Sequence, residues 1–415
     1  VVRVGLVSAD VGDTNVGHDL VGFFAGQRRS ARLVEMFVYT PTPDDGSAWR
    51  AELVAAIGED HLRFIGNASS DEAAALIRAD AIDVLVNLNG FVKYARNDVF
   101  ALRPAPVQVV YKGYPGTMGG LGVHDYIVGD ETVTPLDRAA DELSERVVQL
   151  PNTFFLTSYP AAFGHVLPRP VVDPSSCDGG GGDACRGTIL CDFNHLYKVT
   201  PDTFQSWVHV LEAVPDARLW LLRLPAEAEA NLLAAAPTAV RDRIYFTDLF
   251  PLQGHLTAKQ ECDLFLDTFT FNAHGTAMDA LWAGVPLLTL RGNSYQARVA
   301  ASHLAALGLA DDLVTDTADA FIARAVELAS NRDQLNTLRS RLVDAARSTS
   351  RLFNTASWTA DFEAAMRAVA TVHRLGRPAR HLVMPKRQDE AVDPSIDEQI
   401  AATADMRQRL WAAAE

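Results

Sequence analysis

The sequence has no apolar run near the roughly 20 residues that a helix needs to span a bilayer. It is also poor in positive charge: 37 Lys and Arg stand against 52 Asp and Glu, for a formal net charge of −15. Such an excess of negative charge disfavours broad binding to nucleic acid or to anionic membranes. We therefore expect no nucleic-acid and no membrane partner. Any charged ligand is expected to be small and to bind at a local site.

Cysteine is scarce, and no export signal is visible. The four cysteines, Cys177, Cys185, Cys191 and Cys262, show neither zinc-site spacing nor a dense disulfide framework. The first residues, VVRVGLVSAD, have the pattern of a strand rather than of a signal peptide. We therefore expect reduced cysteines and a cytoplasmic or nuclear protein. The start on a strand also favours a fragment of a longer protein.

What the sequence does contain is an alternation of short apolar runs with helical patterns. The runs are continuous and rich in β-branched residues, which is typical of parallel strands covered on both faces. Strand, helix and strand in this order predict parallel sheets with right-handed crossovers. The predicted strands are 2–9, 33–40, 61–66, 82–90, 106–113, 125–130, 146–151, 188–193, 217–224, 243–248, 263–267 and 286–290.

A change of composition divides the chain. Residues 158–187 are crowded with Pro, Gly and Ser, which is typical of a linker, and Cys177 and Cys185 there have the pattern of loop cysteines. The α/β halves on either side predict two facing Rossmann-like lobes with a ligand cleft between them. The predicted parts are a first lobe 1–157, the linker 158–187, a second lobe 188–355, a closing helix 356–377 and a charged tail 378–415 that is mobile or wraps a surface. Because neither lobe has G-x-G-x-x-G after its first strand, a dinucleotide oxidoreductase is disfavoured.

The run FNAHGTAMDALWAGVP, residues 271–286, follows a predicted strand and opens a helix. His274, Gly275 and Thr276 would lie at the helix N-terminus, where backbone N–H groups and the helix dipole favour an anion. Asp279 would lie one turn further on. Its carboxylate suits helix capping and equally suits two hydrogen bonds from a ribose diol. The run therefore predicts a phosphate or nucleotide site, with plain capping as the alternative for Asp279.

Four other segments follow predicted strands. Lys198 in FNHLYK would meet a phosphate and stabilise a leaving diphosphate without a metal, or else is simply solvated. His18 is a candidate general base, since histidine titrates near neutral pH, or else a packing residue. Glycine in GYPGTMGG (113–120) permits close approach of a sugar or forms a plain turn. His255 suits stacking on a base or a solvated loop, and no carboxylate cluster predicts a Mg²⁺ site.

Together these segments resemble the catalytic region of the O-GlcNAc transferases, the protein O-β-N-acetylglucosaminyltransferases. The resemblance spans most of the chain and is carried by ALRPAPVQVVYKGYPGT (101–117), FNHLYK (193–198), WLLRLP (220–225), LDTFTFNAHGTAMDALWAGVP (266–286) and RVAAS (298–302). It implies a GT-B fold, UDP-GlcNAc as donor, and Ser or Thr hydroxyls of intracellular proteins as acceptors. It also implies inversion at the anomeric carbon, with no metal and no other cofactor.

The resemblance further implies roles for individual residues. Lys198 and residues 274–276 would contact the diphosphate, His255 the uracil ring and Asp279 the ribose. The whole set implied to bind the UDP-sugar is His195, Lys198, His255, His274, Gly275, Thr276 and Asp279. The residues implied for catalysis are His18 and Lys198. The loop implied to lie beside the sugar and acceptor comprises Tyr114, Pro115, Gly116 and Thr117.

The chain also departs from that family, so the donor pocket would lose hydroxyl and cationic contacts. The domain that animal members insert between the lobes is absent. No 34-residue helical repeat is visible, so we expect any tetratricopeptide repeats to lie upstream of residue 1. The departures within the motifs are His195 for Gln, Gly275 for the middle Thr of His-Thr-Thr, Thr257 and Ala258 for two arginines, and Thr14 and Asn15 for a His-Pro pair.

Three alternatives are compatible with the sequence. A Spindly-type protein O-fucosyltransferase would use GDP-fucose, although Asp279, LWAG and FNHLYK favour the GlcNAc donor. A catalytically weak scaffold that binds partners would account for Gly275 and the lost arginines. The third is a sugar-nucleotide epimerase or a bacterial-type transferase acting on small acceptors.

Overall fold

The computed structural model describes residues 1–27, 33–120, 122–168, 187–349, 351–387 and 394–412. It divides into two compact units: the first unit is Val1–Gly164 with Arg351–Glu415, and the second unit is His165–Ser350. The predicted loop cysteines Cys177 and Cys185, and most of the predicted linker, lie outside the described residues.

Strands and helices alternate along the chain, as the apolar runs predict. The strands are β1 (Val2–Val7), β2 (Val34–Thr40), β3 (Leu62–Phe64), β4 (Val84–Asn87), β5 (Val107–Val110), β6 (Tyr126–Gly129), β7 (Arg146–Gln149), β8 (Ile189–Asp192), β9 (Arg218–Leu222), β10 (Ile244–Thr247), β11 (Leu264–Leu266), β12 (Leu287–Leu290), β13 (Val314–Thr315) and β14 (Leu382–Val383). The helices are α1 (Asn15–Gln27), α2 (Ala48–Ile57), α3 (Ser70–Ala79), α4 (Asn97–Ala101), α5 (Leu136–Glu142), α6 (Tyr159–Phe163), α7 (Pro201–Ala213), α8 (Glu227–Ala235), α9 (Thr238–Arg241), α10 (Leu252–Lys259), α11 (Gly275–Trp282), α12 (Val299–Ala306), α13 (Ala310–Leu313), α14 (Ala318–Ser330), α15 (Arg332–Asp344), α16 (Thr355–Arg374), α17 (Ile396–Ala402) and α18 (Ala404–Ala412).

Each unit is built on one parallel sheet. The first sheet has the order β14-β7-β6-β5-β4-β1-β2-β3, and the second has the order β10-β9-β8-β11-β12-β13. Every residue of β4, β5 and β11 is buried. Burial on both faces explains why these strands are continuous apolar runs rather than alternating patterns.

The strand order reverses once in each sheet. β1 lies between β2 and β4 in the first sheet, and β8 lies between β9 and β11 in the second. In open α/β sheets, ligands bind outside the carboxyl ends of the strands at such a reversal. A ligand-binding site is therefore expected at the loops that follow β1 and β4 in the first sheet and β8 and β11 in the second.

The C-terminal segments belong to the first unit. The predicted closing helix is α16, which packs on α1 and on β1, β4 and β5. The indole Nε1 of Trp358 in α16 donates to the Phe154 carbonyl at 3.1 Å. The tail beyond residue 378 wraps a surface in its described part: β14 extends the first sheet, and α18 packs on α2 and α6. A mobile tail is therefore wrong for residues 394–412, because Met406 and Leu410 are buried there.

The expectation of reduced cysteines is wrong for one pair. Cys191 in β8 and Cys262, which precedes β11, form a disulfide with their Cα atoms 6.0 Å apart. They are 71 residues apart in sequence, so their spacing gave no signal. β8 and β11 are neighbours in the second sheet, and this tertiary pairing brings the two sulfur atoms together.

Candidate active site

Lys198 lies at the reversal of the second sheet, in the short turn Leu196–Lys198 that follows β8. Its ammonium donates to the Asn272 carbonyl at 2.9 Å and to Asn194 Oδ1 at 3.4 Å. The Nζ atom also lies 4.0 Å from the ring centroid of Phe271. Burial lowers the pKa of this lysine, although Asp267 and Asp192 act in the opposite direction. The contacts fix a positive charge against the loop that leads into α11.

That loop is itself held at several points. Asn272 donates its backbone N–H to the Gln296 carbonyl at 3.0 Å and its side-chain amide to the Thr268 carbonyl at 2.7 Å. The imidazole Nε2 of His274 lies 3.1 Å from the same Gln296 carbonyl. The loop geometry is therefore set before any ligand arrives, as a preorganised anion site requires.

Two fully buried carboxylates, Asp192 and Asp267, end β8 and follow β11. Asp192 accepts the Asn194 backbone N–H at 2.7 Å and the Asn194 amide at 3.0 Å. Asp267 accepts N–H groups of Thr268 and Ala273. Burial raises the pKa of both groups, and the Asp267 charge raises that of Asp192 further. The sequence analysis missed this pair, although an acidic residue at the end of an apolar strand was a visible signal.

The predicted start of the helix is confirmed: α11 begins at Gly275, with His274 as its N-cap residue. The first N–H groups of an α-helix have no acceptor within the helix and point out of its N-terminal end. Gly275 and Thr276 lie in this turn. The helix ends where Gly284 adopts a φ of +80°, a left-handed conformation that favours glycine.

Asp279 lies one turn into α11 and has a partner at each carboxylate oxygen. Its Oδ2 accepts a hydrogen bond from the Lys259 ammonium, and its Oδ1 lies 3.4 Å from His255 Nε2. Burial opposes ionisation of Asp279, but Lys259 and His255 outweigh it and hold its pKa below the usual range. Asp279 is the fifth residue of α11, so it lies beyond the first three helical positions that an N-terminal cap serves. The predicted residues His255 and Asp279 thus come together, and Lys259, which the sequence analysis missed, joins them.

His195 lies just before Leu196–Lys198 and is exposed, with its ring centroid 5.3 Å from that of Tyr197. Burial, followed by the nearby Lys198 charge, lowers its pKa. The imidazole is therefore neutral at neutral pH, so it adds a hydrogen-bonding group rather than a second cation.

In the first unit, His18 lies in the first turn of α1, just after the loop that follows β1. Its Nε2 lies 2.7 Å from Asp13 Oδ1, and its ring packs on Trp49 at a centroid distance of 3.9 Å, with the ring planes tilted by 37°. The His18 side chain is 10% exposed, whereas the side chain of Asp13 is half exposed. The arrangement orients the imidazole by a carboxylate, as a histidine base requires, and it also packs the ring.

The predicted sugar loop, residues 114–117, follows β5 in the same unit. Glu145 anchors it, because the carboxylate accepts the Met118 N–H at 2.7 Å and the Thr117 hydroxyl at 2.8 Å. Tyr114 packs on Phe91 with centroids 5.2 Å apart, and Gly116 donates its N–H to the Tyr114 carbonyl at 3.2 Å. Pro115 completes the turn. These contacts fix the conformation of the loop at the carboxyl edge of the first sheet.

Among the described residues, no group of three or more His, Cys, Asp or Glu side chains is placed to hold a metal ion. The described helices also include none that is both long enough and apolar enough to cross a membrane. The polar groups that do converge are a lysine, a helix N-terminus, and a carboxylate beside a histidine. In the second unit these suit, in turn, a diphosphate, its bridging oxygens, and a ribose with its base.

A model of glycosyl transferase family 41 matches residues 1–185 and 182–362, which is most of the chain. The chain belongs to this family. The resemblance to the O-GlcNAc transferases that the sequence motifs indicated is therefore confirmed.

Two curated relatives align with nearly all of this family 41 chain. The Arabidopsis thaliana protein named "Probable UDP-N-acetylglucosamine--peptide N-acetylglucosaminyltransferase SEC" is 36% identical over 382 residues, 92% of this chain and 38% of the relative. The Caenorhabditis elegans UDP-N-acetylglucosamine--peptide N-acetylglucosaminyltransferase is 28% identical over 486 residues, 92% of this chain and 42% of the relative. The chain thus spans about two fifths of the length of these relatives.

A solved structure is similar as well. A lysine-to-methionine mutant of the Thermobaculum terrenum O-GlcNAc transferase matches with a TM-score of 0.77 at 27% identity, over 90% of this chain and 69% of that one. Together with the two parallel sheets, this match confirms the GT-B fold class expected for the family 41 chain.

Proposed function

We propose that this chain transfers N-acetylglucosamine from UDP-GlcNAc to Ser or Thr hydroxyls of intracellular proteins, with inversion and without a metal or other cofactor. The observation that carries the proposal is the position of Lys198, whose ammonium is fixed on the Asn272 carbonyl at 2.9 Å beside the start of α11. The plant and nematode relatives are named as UDP-N-acetylglucosamine--peptide N-acetylglucosaminyltransferases, which supports UDP-GlcNAc as donor and a peptide acceptor. The name of the Thermobaculum protein, an O-GlcNAc transferase, supports the transferred sugar.

Donor binding follows from the polar groups of the second unit. We assign the diphosphate to Lys198, His274, Gly275 and Thr276, because a lysine and a helix N-terminus both favour anions. Asp279 accepts from the ribose hydroxyls, and the His255 ring lies beside the base. His195, neutral and exposed, donates or accepts at the sugar side of the diphosphate.

The chemistry proposed is a single displacement. The acceptor oxygen attacks C1 of the sugar from the face opposite the nucleotide, a new C1–O bond forms, and the bond from C1 to the phosphate oxygen breaks. UDP leaves with the electron pair of that bond. Lys198 and the N–H groups of α11 stabilise the negative charge that develops on the leaving diphosphate, the role that a metal ion performs in other transferases.

The proton of the acceptor hydroxyl has two candidate destinations: His18, oriented by Asp13 at 2.7 Å, and the donor's own phosphate. The loop Tyr114–Thr117 is proposed to lie beside the sugar and acceptor. Replacing His18 by Ala distinguishes the two proton acceptors. We expect turnover to fall if His18 is the base, whereas unaltered turnover would assign the proton to the phosphate.

The donor assignment is tested by calorimetry with UDP, GDP and their sugar conjugates, with and without EDTA. We expect UDP and UDP-GlcNAc to bind equally well in both conditions, with no heat from GDP. Preference for GDP would move the donor to GDP-fucose, and no binding of either would favour a scaffold that binds partners. Transfer to a monosaccharide but to no peptide would point to small acceptors.

A further inference from the structure

Lys259 is a buried lysine that is paired with the carboxylate of Asp279. It is the last residue of α10 and is only 7% exposed, and its Nζ hydrogen-bonds Asp279 Oδ2. Lysines are almost never buried without such a partner. A buried pair of this kind is weak evidence for stability, because the desolvation of two charges offsets their attraction. Ligand binding therefore explains the buried Lys259–Asp279 pair better than a contribution to stability does.

The pair lies on the part of α11 that the proposed function assigns to the ribose. Asp279 retains 18% exposure of its side chain and Lys259 retains 9%, so the pair is largely but not wholly closed to solvent. Lys259 Nζ also lies 5.9 Å from the ring centroid of Phe193, which closes one side of the ammonium. Within the described ranges, Asp279 is the acceptor given for this ammonium, which leaves N–H groups for a ligand.

A vicinal diol presents two oxygens that both donate and accept. A carboxylate already paired with Lys259 and facing His255 has less capacity to accept from both hydroxyls. We propose that Lys259 and Asp279 recognise the ribose diol jointly: the carboxylate accepts from one hydroxyl, and the Lys259 ammonium donates to the oxygen of the other. This inference rests on the proposed function and adds Lys259 as a specificity-determining residue for a ribonucleoside diphosphate.

The test compares the dissociation constants of UDP, 2′-deoxy-UDP and 3′-deoxy-UDP by calorimetry. For the unaltered protein we expect UDP to bind about 10- to 100-fold more tightly than each deoxy analogue, the scale of a hydrogen bond to a charged group. Lys259→Met keeps the apolar stem and removes the donor. We expect this variant to lose most of the preference against one analogue and to retain the preference against the other.

Two further variants keep the test interpretable. Lys259→Met leaves the Asp279 charge buried without its cation, so the double variant Lys259→Met, Asp279→Asn removes both charges and should fold and bind all three nucleotides with similar affinity. Lys386→Met makes the same substitution at an exposed lysine of the first unit. It should leave the ratio of the UDP dissociation constant to that of each deoxy analogue unchanged.

The outcomes separate this inference from the proposed function. UDP binding with the same two preferences in Lys259→Met as in the unaltered protein would overturn the role of Lys259 and leave the donor assignment standing. Absence of UDP binding by the unaltered protein would instead overturn the donor assignment itself.

Discussion

At the scale of single residues, Lys198 carries the largest expected effect. Its ammonium is fixed before the donor binds, so its loss removes a preorganised charge stabiliser rather than a flexible one. We expect Lys198→Ala to lower turnover roughly 10²- to 10³-fold in a peptide transfer assay. The matched control Lys386→Ala, at an exposed lysine that follows β14, should leave turnover unchanged. Near-normal turnover in Lys198→Ala would refute the assigned role.

The buried carboxylates beneath Lys198 make a prediction about pH. Burial, with the Asp267 charge, raises the pKa of Asp192 from 3.8 to about 8. The folded chain thus holds a proton that the unfolded chain releases, so this stabilising contribution is complete below pH 3.8 and is lost as the pH rises toward 8.

Asp192→Asn removes this titrating group and retains an acceptor for the Asn194 N–H. We expect the free energy of unfolding to fall less steeply between about pH 5 and pH 8 in the variant, by roughly 3–4 kcal/mol over that range. Urea unfolding of both proteins across the range measures it. Parallel curves for the two proteins would show that Asp192 is ionised throughout.

Sequence alone was sufficient for residues whose setting is local. The sequence predicted Lys198 in the connection that follows β8 and residues 274–276 at the start of the helix that follows β11, and the structure has them there. Lys259 escaped notice because its partner Asp279 lies 20 residues away on another helix. Cys191 and Cys262 escaped for the same reason, since only the pairing of β8 with β11 brings them together.

At the scale of elements, the two ends of α11 respond differently to an added side chain. A Cβ at Gly275 would meet nothing within 4 Å, so the hydroxyl that the family resemblance expects there has room. We predict that Gly275→Thr raises the affinity for UDP about 2- to 10-fold, the scale of one added hydrogen bond, as measured by calorimetry.

Gly284, at the other end of the same helix, is the control. Its φ is +80°, and a Cβ there would lie 3.0 Å from Pro168 and 3.1 Å from Val343. Gly284→Ala should therefore cost about 1–2 kcal/mol of stability and leave the UDP affinity of the folded protein unchanged. An unaltered UDP affinity in Gly275→Thr would show that this turn of α11 does not touch the diphosphate.

The strand and helices that the sequence patterns did not predict near the C-terminal end of the chain are short. β14 has two residues, too few for any periodic pattern, and it forms because β7 offers a free edge. α17 and α18 were assigned to a charged tail because their apolar residues are sparse. Their stability comes from packing on α6 and α2, which no local pattern reports.

At the scale of the whole molecule, the contacts assigned to UDP all lie in the second unit, whereas the C-terminal helices stabilise the first. Burial of each of Ile396, Met406 and Leu410 contributes about 1.5–3 kcal/mol. We expect deletion of the chain from residue 394 onward to lower the melting temperature while UDP affinity below that temperature stays unchanged. A simultaneous loss of UDP affinity would contradict the assignment of the donor site to the second unit.

The first unit is discontinuous in the chain: its sheet begins with β1, and its core is completed by α16. Trp358 and Phe362 of α16 stack within 5.5 and 5.7 Å of Tyr111, at the end of β5. A ribosome releases the chain from the N-terminus, so every residue of the second unit is synthesised before these two aromatic rings exist. The first unit is therefore begun first but cannot complete its core until the second unit has been synthesised, so it exposes apolar surface for longer during translation.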